Sequence, residues 1–120
     1  MSQDDPFADF KSGSATVNTA YHPLLERIAE ALKTEPGHVQ VTGHSDNIPI
    51  HTLRFPSNWH LSQARAEAVA ELLAAATGTP GRFTAEGRAD AEPVADNRTP
   101  EGRARNRRVE ITLLAQTGGS

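Results

Sequence analysis

The sequence predicts an α/β sandwich in which two main helices pack against one face of a sheet. Two segments carry apolar residues at helical spacing, and three short segments alternate apolar and polar residues. Along the chain these segments run in the order helix, strand, helix, strand, short helix, strand. A chain of 120 residues is long enough for one domain with its own core.

The first helix is predicted over residues 19–34. Asn18 or Thr19 can cap its start, and Glu35-Pro36-Gly37 ends it. Its apolar stripe recurs every three or four residues, which is typical of a helix buried on one side. The stripe comprises Tyr21, Leu25, Ile28 and Leu32, widened by Leu24 and Ala29.

A strand and a long loop follow the first helix. Val39 and Val41 alternate with polar residues, so His38–Thr42 is predicted to be a strand. Residues 43–60 contain two prolines and are predicted to form a loop before the next helix.

The second helix is predicted to start at Ser62 as its capping residue and to run to about Thr77, where Gly78 ends it. Phe83–Glu86 is then predicted to be a short strand. The helix is expected to bury an apolar stripe of Leu61, Ala68, Val69, Leu72, Leu73 and Ala76.

A short third helix and a closing strand complete the domain. Thr99-Pro100-Glu101 combines a capping hydroxyl, a proline and an acid, and predicts a helix to about Asn106. Arg108–Leu114 is predicted to be the last strand, with Val109, Ile111 and Leu113 facing inward.

We expect one domain over residues 10–114. Residues 1–9 form either an N-terminal segment or, around Phe7 and Phe10, a short first strand, and residues 115–120 form a flexible tail. The chain lacks a signal peptide and an apolar stretch long enough for a membrane span. We therefore expect a piece of a longer, targeted protein.

Composition excludes several kinds of function. The formal net charge of −3 gives no indication of nucleic-acid binding. Without cysteine there is neither a disulfide framework nor a thiolate site. The histidines lack the spacing of known metal motifs, so neither a metal nor another cofactor is expected.

Several motifs occur in a fixed order. They are Gly43-His44-Ser45-Asp46, then Asn58, then Leu61-Ser62-Gln63-Ala64-Arg65-Ala66, and finally Asn106-Arg107-Arg108-Val109. Together they resemble the signature of the OmpA C-terminal-like family, over about residues 10–114. The resemblance implies a βαβαβ-type fold with a mixed sheet, and non-catalytic binding of peptidoglycan through the meso-diaminopimelate residue of its stem peptide.

The long spacer narrows the resemblance. The spacer is the segment between Asp46 and Asn58. The sequence from Arg54 to Ser62, Arg-Phe-Pro-Ser-Asn-Trp-His-Leu-Ser, is similar to the TssL (DotU-like) branch of the family, which is found in type VI secretion systems. The spacer also resembles the MotB branch. This likeness implies a periplasmic domain that anchors an inner-membrane complex to the cell wall. It also implies partner subunits in that complex and a membrane anchor outside this sequence.

The implied ligand ends in an ammonium and a carboxylate on one carbon. A carboxylate can bind the ammonium while a guanidinium held close to it binds the carboxylate. Asp46 and Arg65 are the candidates. Arg65 is predicted in the first turn of its helix and in line with the buried stripe, where a cation is unfavourable without a reason.

Four further residues are expected at the site. Ser45 and Leu61 are expected as walls, while Asn58 either orients the loop or bonds the ligand backbone. Either Arg107 or Arg108 can reach the ligand, and we choose Arg108 because it faces away from the Val109 side of the strand.

Alternatives remain open at this point. Arg65 can instead be a buried structural partner of Asp46. The domain can be a protein-interaction module that has lost its ligand, or a MotB-like stator anchor. An enzyme that acts on the same stem is a third alternative, but the sequence offers no nucleophile–base pair to support it.

Overall fold

Helices and strands alternate along the part of the chain that the computed structural model describes, residues 10–11 and 13–114. The proposals for residues 1–9 and 115–120 lie outside the described residues. Single 3-10 turns occur at Thr19–Tyr21 and Pro80–Arg82. The regular elements are α1 (His22–Lys33), β1 (His38–Gly43), α2 (Asn58–Thr77), β2 (Phe83–Gly87), α3 (Pro100–Asn106) and β3 (Val109–Leu114).

The described strands form one mixed sheet in the order β2-β1-β3. β1 is parallel to β2, because α2 carries the chain back to the same end of the sheet, and β3 is antiparallel to β1. At the centre, Val41 pairs with Ala85 on one side and Ile111 on the other. The predicted fold class is confirmed.

The core lies between one face of this sheet and the two long helices. Val39 and Val41 of the central strand are fully buried, as is Val109 of β3. The helices complete the same cluster with Leu25, Ala29 and Leu32 of α1 and Ala66, Val69 and Leu73 of α2.

The start of α2 differs from the prediction. The capping residue is Ser57, whose extended backbone precedes the helix and whose hydroxyl accepts from the His60 amide at 3.4 Å. Ser62 lies inside the helix, where its hydroxyl donates to the Trp59 carbonyl and accepts from the Ala89 amide. Arg65 therefore lies two turns into α2, and the predicted conflict with the helix dipole at the first turn is wrong.

The buried face of α2 is also rotated from the predicted stripe. Leu72 is 36% exposed and Ala76 is exposed, whereas Ser62 and Arg65 are fully buried. The buried face was missed because it contains two polar residues among the apolar ones.

Glycine allows the sheet to approach α2 closely. A side chain at Gly43 would collide with the carbonyl oxygen of Ser62, and one at Gly87 would collide with the backbone of Gln63. This close approach brings the turn after β1 beside the middle of α2, where Arg65 lies.

Candidate ligand-binding site

A cavity of about 60 Å³ lies where the β1–α2 loop, α2 and the residue after α3 meet. Its walls carry three charged side chains, Asp46, Arg65 and Arg107, together with Asn58 and Leu61. The loop segment 48–50 closes one side. The fold thus gathers four of the six predicted site residues and adds Arg107.

Asp46 is 5% exposed, and its carboxylate is held by two different donors. Its Oδ1 accepts from the Ile48 amide at 3.0 Å, and its Oδ2 accepts from Nη1 of Arg107 at 2.9 Å. A carboxylate offers about four acceptor positions, so this group retains capacity for a further donor from the cavity.

Arg65 is fully buried, and three backbone carbonyls accept from its guanidinium. Nε donates to Ser14 at 2.8 Å, Nη1 to His44 at 3.1 Å, and Nη2 to Lys11 at 3.1 Å. The guanidinium also lies 5.1 Å from the centre of the Phe10 ring, at cation–π distance. Arg65 thereby ties the segment before α1 to the turn after β1.

The electrostatics of Arg65 follow from this position. Burial and, to a smaller extent, the charge of Arg107 lower its pKa against the opposing effect of Asp46, and the net result is a pKa of about 10. Arg65 therefore remains protonated at neutral pH. Its described hydrogen bonds go to carbonyls and not to Asp46, so the alternative of a simple buried Asp46–Arg65 pair does not match the geometry.

The predicted site residue Arg108 does not line the cavity, whereas Arg107 does. Arg108 does point away from Val109, but that direction is the sheet face opposite the helices, where it donates to Glu110 Oε2 at 2.8 Å and to the Glu92 carbonyl at 3.0 Å. Arg107 lies just before β3 starts, and its guanidinium turns toward the cavity. Strand parity could not decide because Arg107 precedes the strand.

The remaining predicted residues divide between loop support and cavity wall. The Ser45 hydroxyl donates to the Asp46 carbonyl at 2.8 Å, and Ser45 lies behind the cavity and does not line it. Nδ2 of Asn58 donates to the Ile48 carbonyl at 2.9 Å, which fixes the loop wall. Leu61 is 3% exposed and lines the cavity as expected.

His44 lies buried beside this site, and its surroundings were not foreseen. Its side chain is 1% exposed, and its Nε2 lies 3.4 Å from Oε1 of Glu110. Burial lowers the pKa of His44, the charge of Arg108 lowers it further, and Glu110 and Glu92 act in the opposite direction. The His44 backbone holds the turn, with its amide donating to the Arg108 carbonyl at 2.8 Å.

The described ranges contain neither a metal-binding cluster nor a membrane-spanning helix. No cluster of three histidine, aspartate or glutamate side chains is placed to hold a metal ion there. No helix in that part of the chain has the length and apolarity needed to cross a membrane.

Comparison with known proteins identifies the family. The model of the OmpA family matches residues 9–107, which is most of the chain. The chain belongs to the OmpA family. Within it, the chain is similar to the solved cell wall anchor of the type VI secretion system from Pseudomonas aeruginosa. That match has 66% identity and a TM-score of 0.80, and it covers 89% of this chain and 75% of that one.

Two curated OmpA-like relatives extend the comparison. Motility protein B of Bacillus subtilis is 41% identical over 88% of this chain and 41% of its own length. The peptidoglycan-binding protein ArfA of Mycobacterium tuberculosis is 36% identical over 87% of this chain and 31% of its own length. The chain therefore spans less than half the length of these curated relatives.

Proposed function

We propose that this domain binds peptidoglycan without catalysis, through the meso-diaminopimelate residue of the stem peptide, and so anchors a type VI secretion complex to the cell wall. The observation that carries the proposal is the cavity in which one carboxylate, Asp46, lies beside two guanidinium groups, Arg65 and Arg107. The ligand's free end carries the matching charges.

The chemistry assigns a role to each charge. Asp46 accepts from the ligand ammonium through the acceptor capacity that Ile48 and Arg107 leave free. A guanidinium has five donors, and three of those of Arg65 are used by carbonyls within the described residues. The others, with those of Arg107, suit a bidentate contact to the ligand carboxylate.

The cavity carries charges of both signs, which match the two ends of such a ligand. Two cations and one anion line it, so the cavity has a formal excess of one positive charge. Arg107 pairs with Asp46 within the cavity. We propose that the ligand enters between these charges, its ammonium beside Asp46 and its carboxylate beside Arg107 and Arg65, so that every charge keeps a partner.

The relatives support the cellular setting. The similar structure at 66% identity is named a cell wall anchor of a type VI secretion system, and ArfA is named a peptidoglycan-binding protein. We propose the same setting for this chain: a periplasmic domain of an inner-membrane protein, anchored by sequence beyond this chain and in contact with other subunits of the secretion complex.

A MotB-like anchor for a motility stator is the second candidate. The 41% identity to Motility protein B favours it, but the 66% identity to the secretion-system anchor favours the first more strongly. An interaction domain without ligand is less well supported, because the carboxylate and both cations are present in one cavity.

Sedimentation with purified cell walls tests the proposal. We expect the domain to sediment with diaminopimelate-containing walls, to dissociate progressively as salt rises, and to release no wall fragments. The variant Arg98→Gln should sediment as the wild type does, because Arg98 is an exposed arginine that pairs with Asp96 and does not line the cavity. Failure to sediment contradicts wall binding, and equal sedimentation with lysine-type walls contradicts diaminopimelate recognition.

A further inference from the structure

We infer that His44 is a positioning residue for the cavity, and that protonation of its ring releases the turn after β1 and weakens stem-peptide binding in mild acid. This inference rests on the proposed function. His44 lies two residues before Asp46 and does not line the cavity, so it acts through its neighbours.

The backbone of His44 connects the cavity to the sheet. Its amide donates to the Arg108 carbonyl at 2.8 Å, and its carbonyl accepts from Nη1 of Arg65 at 3.1 Å. The next residue, Ser45, donates its amide to the Ala89 carbonyl at 2.9 Å. A displacement of His44 therefore moves both Arg65 and the turn that carries Asp46.

The ring of His44 is enclosed but poorly bonded. It is 1% exposed, and neither ring nitrogen makes a hydrogen bond of ordinary geometry to the described residues. Oε1 of Glu110 lies 3.4 Å from Nε2. A ring buried without strong hydrogen-bond partners is stable in this position only while it is neutral, because burial of an unpaired charge costs much more free energy.

The charged groups around the ring come from three elements. β3 and the residue before it contribute Glu110 and Arg108, the loop after β2 contributes Glu92, and α2 contributes Arg65, which bonds the His44 carbonyl. Arg108 disfavours a protonated ring and the two glutamates favour it, but burial and Arg108 together prevail and lower the pKa of His44. Acid therefore favours a conformation in which the ring has left this position.

The direction of the pH effect follows from the linkage between protonation of His44 and closure of the turn. A histidine whose pKa is lower in the closed turn than the ordinary 6.5 stabilises the closed turn above that pH, and the closed turn loses stability as pH falls below it. One proton limits the effect to about tenfold per pH unit. We expect stem-peptide affinity to fall about 2- to 10-fold between about pH 7.5 and 5.5.

The test is calorimetric binding of stem tripeptide across that pH range for wild type, His44→Gln and His22→Gln. His22 is an exposed histidine at the start of α1, so its variant should keep the wild-type pH profile. His44→Gln should flatten the profile whatever its absolute affinity. A wild-type affinity that does not change with pH, or an undiminished pH slope in His44→Gln, overturns the inference.

A second measurement needs no ligand. The exchange protection of the His44 and Ser45 amides in wild type should fall below about pH 6.5, with the same midpoint as the His44 ring titration seen by NMR. Different midpoints overturn the inference even if His44→Gln fails to fold. If wild type binds no stem peptide at any pH, the proposed function fails, and this measurement still decides whether His44 holds the turn.

Discussion

Arg107 Nη1 lies 2.9 Å from Asp46 Oδ2, and this ion pair joins the residue after α3 to the turn after β1. The two side chains are only 17% and 7% exposed, so the pair is well shielded from salt. Both residues also line the cavity. The same charges therefore serve the fold and the proposed ligand, and the variants must be chosen to separate the two roles.

Arg107→Gln should weaken binding and cost some stability. It removes one cation from the cavity and leaves the Asp46 carboxylate without its ion-pair partner. A lost contact to a charged group costs about 1.5–3 kcal/mol, which is roughly 10- to 150-fold in affinity. The comparison variant is Arg108→Gln, whose side chain lies on the other face of the sheet. Measured at about pH 7.5, above the range in which His44 protonation is proposed to act, it should leave affinity unchanged in folded protein. The reverse ranking of the two variants would restore the Arg108 assignment.

Arg65→Ala should destabilise the domain. The substitution leaves three carbonyls without their donor, that of His44 in a buried position and those of Ser14 and Lys11 in partly buried ones. Each unsatisfied group costs about 1–3 kcal/mol, so we expect a loss on the order of 3 kcal/mol in the free energy of unfolding, measured by urea denaturation. Arg65→Lys should lose less, because an ammonium can still reach one or two carbonyls. A fully stable Arg65→Ala would contradict the structural role.

Stability should fall with acid in two separate windows. The first begins below about pH 6.5, where His44, with its lowered pKa, is protonated more readily in the unfolded chain. The second window begins below about pH 4.5 and comes from Glu110, whose pKa is lowered. Burial acts to raise this pKa, but the hydrogen bond and the charge of Arg108 lower it overall. Stability that a carboxylate with a lowered pKa provides is present above its unfolded pKa and is lost as pH falls through the folded one.

Thermal melts between about pH 7.5 and 3.5 check both windows. His44→Gln should remove the upper window and Glu110→Gln should reduce the lower one, each leaving the other in place. An upper window that persists in His44→Gln would assign it to a different group.

Gly43→Ala should be strongly destabilising. The added methyl group would collide with the Ser62 carbonyl, and backbone cannot yield as a flexible side chain can. Overpacking of this kind typically costs about 1–3 kcal/mol. Gly81→Ala is the matched control, because nothing lies near its added methyl group. Equal melting temperatures for the two variants would show that the sheet and α2 are not in such close contact.

The fold could be predicted from the sequence because its periodic signals agree with one another. The alternation around Val39 and Val41 and the stripe of α1 both follow directly from burial on one face. The start of α2 was misplaced because Ser57 and Ser62 are both plausible caps, and only the extended backbone of Ser57 decides between them.

The site could be predicted only in part. Motifs indicated Asp46 and Arg65, but their partners are backbone atoms and distant residues that no local pattern reveals. The carbonyls of Lys11 and Ser14 contact Arg65 across more than fifty positions, and Arg107 reaches Asp46 across sixty-one. The side-chain direction of Arg107 depends on its place between α3 and β3, which strand parity does not describe.

We propose that the Asp46 carboxylate binds the ammonium group of diaminopimelate. Asp46→Asn tests it most directly, because the amide keeps the shape of the side chain and can still accept from the Ile48 amide while removing the negative charge. The measurement is calorimetric titration of wild type and Asp46→Asn with stem tripeptide containing diaminopimelate, beside a thermal melt of each protein. We predict that Asp46→Asn remains folded and loses about 10- to 150-fold in affinity, and that tripeptide with lysine in place of diaminopimelate binds wild type poorly. Wild-type affinity in a folded Asp46→Asn would show that the Asp46 carboxylate does not bind the ammonium group.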